Sequence, residues 1–532
     1  MSKSLDEQIH ELKDKLARAA HERDEYRKLY ELASIELERL RRHIFGQKAE
    51  HVDPGQMQLA FDAIVQMLAG AAASPDTGTA STPEDDGAAP GGGSGGNGKG
   101  RRSTPHGRQK LPEHLPVERI ELLPPQIRDE RAAEMVRIGE EVSETLEWRP
   151  ASFVRLQIVR PKFATRGEPE AGVVIADVAD SPVPRSLAGP GLLAHVLVSK
   201  YGDHLPLHRQ EKIYERQGVH LARSTLCGWV GSCAEVLGYL VAAMAKDALS
   251  AHCIAIDATG VLVQAKDKCR RGHFWVLVAD RDHVLFRFTP RHNQDGPKEF
   301  LRGYKGYVQA DASSVYEELF RTEQVTEVGC WAHCRRRFFE AMSSDRERAM
   351  TALGFIHQLF AIDKATKDLA PGRRTEQRRS HAQPVLDAFR AWLDSEELLV
   401  LPRSPIAGAI GYARNQWLAL IRFLEDGRLR LDNNRSELEL RREALGRKNW
   451  IFVGSDDGAE WNAIIVSLIA SCALHQIDPW AYLRDVLILL PSWPRERILE
   501  LAPKSWKQTL ENTDARQRLA DSPWTAPVTL AA

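Results

Sequence analysis

Three acidic residues, Asp257, Asp311 and Glu437, occur where a nuclease would need metal-binding carboxylates. Asp257 lies within an apolar, β-rich run, Asp311 ends a second such run, and Glu437 lies in a segment typical of the start of a helix. Carboxylates from separate elements can hold two divalent cations on a phosphodiester, one activating water or a 3′-hydroxyl and the other stabilising the leaving oxygen. We therefore predict that these three residues are catalytic and bind metal, with Mg²⁺ or Mn²⁺ as the cofactor.

Each of these carboxylates also has a simpler explanation. Aspartates at strand ends are often caps or turn formers. Asp432 and Glu439 compete with Glu437 for the role of third ligand. Asp432 is better explained as the N-cap of the helix, with an Asn-Asn turn after it. Glu439 lies two residues from Glu437, so the two side chains point about 200° apart on a helix and only one can face the metals.

Five strand-like runs surround the two aspartates. Three of them are separated by short polar turns, which predicts an antiparallel meander. A helical stretch, a strand ending at Asp311, a helix and a further strand follow, and this order is that of the ribonuclease-H-like fold. In that fold the first Asp lies on strand one and the second at the end of the neighbouring strand four. The strand-like runs are Cys253–Ala265, His273–Ala279, Val284–Thr289, Gly306–Asp311 and Val325–Cys330.

The chain as a whole is predicted to be a multidomain α/β protein, because 532 residues exceed what one hydrophobic core supports. A ribonuclease-H-like catalytic core carries a helical insertion at 333–426. The predicted divisions are a leucine-zipper-like coiled coil at 1–46, a Gly-rich linker at 47–110, a small module at 111–184, a helix-turn-helix-like region at 185–248, the catalytic domain at 249–458, and a C-terminal helical region with a loosely ordered tail of about forty residues at 459–532.

The coiled coil is predicted from apolar residues that alternate steps of four and three between Leu5 and Ile44. We expect a homodimer or higher oligomer through this seam, which Arg23 interrupts; the alternative is an amphipathic helix packed on its own chain. The helix-turn-helix is predicted from two short helices around Gly218, with Ser224 as the N-cap of the second. An ordinary helical hairpin is the alternative.

The formal net charge is -1, so any positive charge for nucleic acid must be local. Residues 428–448 hold seven Lys/Arg against four acids, which suits phosphate binding, although a solvated face is the alternative. Seven unevenly spaced cysteines, a charged N-terminus and the lack of an apolar run near ~20 residues predict a cytoplasmic, nucleoid-associated protein without a membrane span. The predicted DNA-binding residues are Arg209, Lys212, Arg223, Ser224, Thr225, Arg335, Arg336, Arg337, Arg441, Arg447 and Lys448.

Several motifs closely resemble transposases of the insertion sequence 66 family. The likeness covers the chain from about residue 1 to about residue 495, in the family's domain order. The matching runs are Asp432-Asn-Asn-Arg-Ser-Glu, Gly446-Arg-Lys-Asn-Trp-Ile-Phe-Val-Gly-Ser, Lys200-Tyr-Gly-Asp-His-Leu-Pro-Leu-His-Arg-Gln, Ser224-Thr-Leu, Gly329-Cys-Trp-Ala-His-Cys-Arg-Arg-Arg-Phe and Ile477-Asp-Pro-Trp-Ala-Tyr-Leu-Arg-Asp.

The resemblance implies a DDE transposase that cuts DNA at element ends and joins the freed 3′-hydroxyl to target DNA. It places the triad on Asp257, Asp311 and Glu437, and so favours Glu437 over Asp432. The implied partners are the terminal repeats of the element, the target DNA and companion proteins of the same element. Two alternatives stay open: a ribonuclease-H-like DNA nuclease, and a decayed, non-catalytic protein that still binds DNA ends.

This chain departs from the family pattern in two places. Family members usually carry a cysteine-paired zinc ribbon in the region matching 111–170, but no cysteine precedes Cys227. His106 and His114 cannot fill a four-coordinate site alone, so zinc is not expected there. The family commonly has Arg after the catalytic Glu, where this chain has Leu438, and Arg441 could supply that phosphate contact one turn later.

Overall fold

The computed structural model describes residues 111–525, with short gaps at 125–126, 128–134, 150–151, 167–172, 179, 185 and 322–323. The chain divides into two units, Met1–Lys110 and Leu111–Ala532. The predicted coiled coil and Gly-rich linker lie outside the described residues. The second unit is a mixed α/β structure with two sheets and many helices.

The first sheet is built mainly by a long antiparallel hairpin of β2 on β3. Strand β3 is central, because β1 pairs with it in parallel and β4 pairs with it in antiparallel orientation. Cross-strand ion pairs such as Arg155–Glu144 at 2.8 Å and Arg160–Glu141 at 2.6 Å line the hairpin. The strands are β1 (Val117–Glu121), β2 (Met135–Arg149), β3 (Ser152–Thr165) and β4 (Val173–Ile175).

The second sheet has the strand order β7-β6-β5-β8-β9, with the short β10 paired to β5. Strands β5 to β7 form an antiparallel meander, and β8 and β9 run parallel to β5. All five predicted runs form strands, although the first, fourth and fifth end two residues earlier than expected and the second and third begin three residues and one residue earlier. The strands are β5 (Cys253–Val263), β6 (Arg270–Ala279), β7 (His283–Thr289), β8 (Gly306–Gln309), β9 (Val325–Val328) and β10 (Phe452–Val453).

Fifteen α-helices occur in the described part of the chain. The predicted insertion contains α6 to α10 and has a hydrophobic cluster of its own, built around Trp331, Phe338 and Phe389. The helices are α1 (Pro190–Tyr201), α2 (Leu207–Arg216), α3 (Arg223–Ala248), α4 (Asp295–Phe300), α5 (Glu317–Phe320), α6 (Trp331–Ala341), α7 (Arg346–Ala365), α8 (Pro371–Glu397), α9 (Pro405–Asn415), α10 (Trp417–Ile421), α11 (Asn434–Trp450), α12 (Asp456–Leu474), α13 (Pro479–Leu489), α14 (Pro503–Glu511) and α15 (Thr513–Asp521).

Helix α3 starts differently from the prediction. Ser224 was predicted to cap it, but the helix begins at Arg223 and the N-cap position is Ala222, whose side chain cannot accept a hydrogen bond. The backbone N–H of Arg223 instead donates to Glu211 of α2 at 3.1 Å. A carboxylate from the neighbouring helix therefore replaces the local cap. Helix α3 is also long, at 26 residues, because its apolar face continues into the shared core.

One expectation about the C-terminal segment was wrong, and two apolar helices bear on the expected absence of a membrane span. Helices α3 and α12 are both long and apolar enough to span a membrane by composition, but 50% and 61% of their apolar windows are buried inside the protein. Ser467 of α12 also accepts a hydrogen bond from the β7 backbone at 2.7 Å, as expected for a core helix. The predicted loosely ordered tail is ordered within its described part, 493–525, since this part contains two helices, the second ending at Asp521, and buries Trp506 and Trp524.

Candidate active site

Asp257 lies on β5, and Asp311 lies just beyond the end of the neighbouring parallel strand β8. In the β5–β8 register Ala255 pairs with Gln309, and each aspartate comes two residues after its member of that pair. The apolar residues around them, including Ile254, Ile256 and Val308, are fully buried and hold the strands in place. Two carboxylates are thereby brought to the same level of the sheet.

The third carboxylate is positioned by a hydrogen-bonded tether. Asn433 is buried just before α11, and its Nδ2 donates to the carbonyl oxygen of Ile256 at 3.1 Å. Its backbone N–H donates to Cys330 Sγ at 3.2 Å. These bonds fix the first turn of α11, which carries Glu437, against the strand that carries Asp257.

The N-cap predicted at Asp432 is displaced by one residue. Helix α11 begins at Asn434, and Asn433 occupies the N-cap position without a capping bond from its side chain. The Asn433 amide cannot cap its own helix because it is directed to Ile256. Asp432 still accepts a hydrogen bond from the backbone N–H of Asn434 at 3.3 Å, so its side chain supports the turn.

Two basic residues of α6 contact the Glu437 carboxylate. His333 Nε2 lies 3.3 Å from Oε1, and an Arg336 terminal nitrogen lies 3.4 Å from Oε2. Oε1 is buried and accepts no hydrogen bond among the described residues. Burial lowers the pKa of His333, while the charges of Glu437 and Asp311 act in the opposite direction. The first turns of α6 therefore lie near Glu437 and Asp311.

The negative charges of the three residues act on one another. The pKa of Asp257 is raised to about 7, mainly by burial and also by the carboxylates of Asp311 and Glu437, although the backbone N–H of Ala258 acts to lower it. The guanidinium of Arg336 opposes them. Of the charged groups that shift the pKa of Asp257, two are carboxylates and one is a guanidinium. This excess of negative charge favours the binding of a cation.

The donor chemistry of this cluster suits a hard divalent cation, because all three side chains offer carboxylate oxygens and one of those oxygens is a buried acceptor without a hydrogen bond. Within residues 111–525, outside the gaps, no three His, Cys, Asp or Glu side chains lie close enough together to share one metal ion. The Glu437 side chain is instead directed towards His333 and Arg336.

The competitor Glu439 is engaged elsewhere. It is buried and pairs with Arg442 at 2.7 Å on its own helix. Leu438, which stands where the resemblance led us to expect Arg, is exposed, and so is Arg441 one turn later. Both positions are open to a ligand approaching the outer face of α11.

The predicted DNA-binding residues fall into two groups. On α2 and α3, Lys212, Arg223, Ser224 and Thr225 are exposed. The second group is on α6 and α11, and one member, Arg336, contacts the candidate carboxylate Glu437. Of the others, Arg337 lies over the Tyr412 ring at 4.3 Å, Arg335 is half-buried, Arg447 donates to the Gly260 carbonyl, and Lys448 is exposed. Arg209 of α2 joins the groups through a 3.3 Å hydrogen bond to Asn449.

Sequence reasoning missed two kinds of positioning residue. Gln309 interrupts the apolar run before Asp311, and its Nε2 donates to the carbonyl oxygens of Gly329 and Arg430. A polar residue inside a buried strand was the available signal. The second is Glu443, which is buried against α1 and α12. No local sequence pattern indicated its burial, because its helix is rich in charged residues.

Three family models match this chain. "Transposase IS66 family" matches residues 185–461, just over half of the 532 residues. "Transposase C of IS166 homeodomain" matches residues 34–120, and "IS66 C-terminal element" matches residues 467–503. The matches follow one another along the chain and together include every candidate catalytic residue.

Curated relatives come from Sinorhizobium fredii (strain NBRC 101917 / NGR234). The chain is 32% identical to the uncharacterized protein y4hP over 439 residues, which cover 75% of this chain and 77% of the relative. It is 31% identical to the uncharacterized protein y4qI, over 76% of this chain and 78% of that relative.

Proposed function

The chain belongs to the Transposase IS66 family, and we propose that it is a DDE transposase that cuts DNA at element ends and joins the freed 3′-hydroxyl to target DNA. The main support is that Asp257 and Asp311 each come two residues after one paired position, Ala255–Gln309, of the parallel strands β5 and β8. The strand order β7-β6-β5-β8-β9 is the order expected of a ribonuclease-H-like core. Glu437 is the proposed third carboxylate.

We propose that Asp257, Asp311 and Glu437 hold two Mg²⁺ or Mn²⁺ ions. Bound ions of this kind activate the attacking hydroxyl and stabilise the leaving oxygen of a phosphodiester. The remaining work falls to the protein's own side chains. Asn433 keeps Glu437 next to the strand of Asp257. Arg336, which contacts Glu437, is proposed to pair with a phosphate oxygen of the DNA.

The basic residues of α2 and α3, together with Arg441 and Lys448 of α11, are proposed to bind the DNA backbone. Their exposure and their position on helices linked by the Arg209–Asn449 hydrogen bond support this assignment. Self-association through the heptad pattern of residues 1–46 is part of the proposal, because joining two element ends requires two protomers. We propose to test it by replacing Leu12 and Leu16 of the seam with Glu and measuring the oligomeric state by sedimentation.

The deciding experiment is a strand-transfer assay on pre-cut element ends with Mg²⁺. The native chain should give joined product, and Glu437→Gln should give none while still binding the ends. Glu439→Gln is the matched control, because Glu439 lies on the same helix but pairs with Arg442. Product from Glu437→Gln would rule out the third ligand. Cleavage of branched DNA without strand transfer would favour the ribonuclease-H-like nuclease. A decayed transposase would be favoured if the native protein and Asp257→Asn bound element ends equally well and neither showed catalysis.

A further inference from the structure

An exposed imidazole is held in a fixed orientation near Asp311. His292 lies in the loop between β7 and α4 and is exposed. Its ring stacks on Trp275, with centroids 5.0 Å apart and planes 24° apart, and on His273, with centroids 4.7 Å apart and planes 27° apart. Trp275 is fully buried, so the lower part of the stack belongs to the core while the histidine faces solvent.

Hydrogen bonds fix both the stack and the loop. Trp275 Nε1 donates to Thr289 Oγ1 at 2.7 Å, and that hydroxyl donates to the carbonyl oxygen of Arg291 at 2.7 Å. Gln294 Nε2 then donates to the Ser314 carbonyl at 3.2 Å. The loop that carries His292 is therefore anchored on one side to the indole beneath it. On the other side it is anchored to the segment that follows Asp311.

The aromatic cluster extends towards the candidate carboxylates. Trp275 meets Tyr316 edge-on, with centroids 6.2 Å apart. Burial raises the pKa of the Tyr316 hydroxyl, and the charges of Asp311 and Asp257 raise it further. Asp311 also acts electrostatically on His292, as does the guanidinium of Arg271. The exposed face of the imidazole thus lies within electrostatic range of both a candidate metal ligand and a cationic side chain.

We propose that His292 is a stacking platform for the nucleotide next to the scissile phosphodiester, an inference that rests on the proposed function. An exposed ring that is held by stacking on a buried indole is suited to base stacking, which tolerates any base because every base has a π-face. A nearby arginine can bind the adjoining phosphate. A ring fixed in advance loses little conformational entropy when the nucleotide binds.

The test measures binding of pre-cut element-end DNA by fluorescence anisotropy, with Ca²⁺ replacing Mg²⁺. His292→Ala should weaken binding about 5- to 150-fold, the range that base–aromatic stacking provides, and His292→Phe should bind like the native chain. DNA with an abasic site beside the cut should bind the native chain and His292→Ala equally. His381→Ala, an exposed histidine of α8, is the matched control.

Several outcomes would overturn the inference. The first is that His292→Ala binds the DNA as tightly as the native chain does. The second is that His292→Phe loses binding while His292→Gln retains it. The third is that an abasic site, at whichever position flanking the cut, leaves the affinity of the native chain unchanged. The last measurement uses only the native chain, so it holds even where a variant fails to fold. Strand transfer by the native chain separates the two proposals: if it occurs while His292→Ala binds normally, only the stacking platform is wrong.

Discussion

Asn433 Nδ2 donates a 3.1 Å hydrogen bond to the carbonyl oxygen of Ile256, the residue immediately before Asp257. The bond joins segments 177 residues apart in sequence and brings the helix of Glu437 to the strand of Asp257. A helix of the insertion, α6, is joined to the same point because the Asn433 N–H donates to Cys330 Sγ. One buried residue, Asn433, thus connects the three segments that form the candidate site through its side-chain amide and its backbone N–H.

Asn433→Ala should therefore reduce both stability and strand transfer. The Ile256 carbonyl would lose its side-chain donor, and a lost buried hydrogen bond costs about 1–3 kcal/mol. Chemical denaturation should detect this decrease in the free energy of unfolding. Asn434→Ala is the control, because Asn434 is exposed and its side chain contacts only the neighbouring Asp432 in the hydrogen bonds described. Equal stabilities of the two variants would contradict the tether.

Arg336→Ala should change metal and DNA binding in opposite directions. Its guanidinium contacts Glu437 and competes there with a metal ion, so its removal should raise the Mn²⁺ affinity of the DNA-free protein by up to about fivefold, the range of a partly exposed ion pair. DNA affinity should fall for all sequences alike, with a weaker salt dependence. Calorimetry and anisotropy measure the two effects. Arg337→Ala, which removes only the cation over Tyr412, is the control; a lower Mn²⁺ affinity in Arg336→Ala would contradict the competition.

The sequence predicted the strands β5 and β8 well because strand periodicity is a local signal. Apolar runs of the right length fixed β5 and β8, and with them the level of Asp257 and Asp311. The helix start at Ser224 was wrong because its cap, Glu211, comes from another helix. Tertiary hydrogen bonds of this kind, like that from Asn433 to Ile256, depend on packing between distant segments, and no local pattern records them.

Ile451→Gly should stabilise the protein by about 1 kcal/mol. Ile451 follows α11 with φ at 61°, a conformation that is strained for a β-branched residue, and its side chain is exposed. Glycine adopts this conformation without a steric penalty. The free energy of unfolding measures the change. Ile451→Ala keeps a Cβ and should recover less stability than glycine; a larger gain from alanine would show that the backbone is not strained.

A buried polar cluster joins α1, α11 and α12 on the side of α11 away from its first turn. Glu443 is almost fully buried and accepts a 3.2 Å hydrogen bond from Asn462 Nδ2. Burial raises its pKa from the ordinary 4.5 to about 7, although Asn462, Arg447 and Lys200 all act to lower it. Burial also lowers the pKa of Lys200. Both charged forms are therefore disfavoured by desolvation.

Glu443→Gln should change how stability depends on pH. The pKa of the Glu443 carboxyl is higher in the folded protein than in the unfolded chain, so folding binds a proton. The native protein therefore loses stability as the pH rises from 4.5, the ordinary pKa of this carboxyl, towards about 7, and it shows no such loss below pH 4.5. Glutamine stays neutral throughout. The difference in unfolding free energy, variant minus native, should grow by on the order of 3 kcal/mol between about pH 5 and about pH 8. Denaturant titrations at both pH values measure it, with the exposed Glu460→Gln as control. Parallel pH profiles for native and Glu443→Gln proteins would show that Glu443 does not bind this proton on folding.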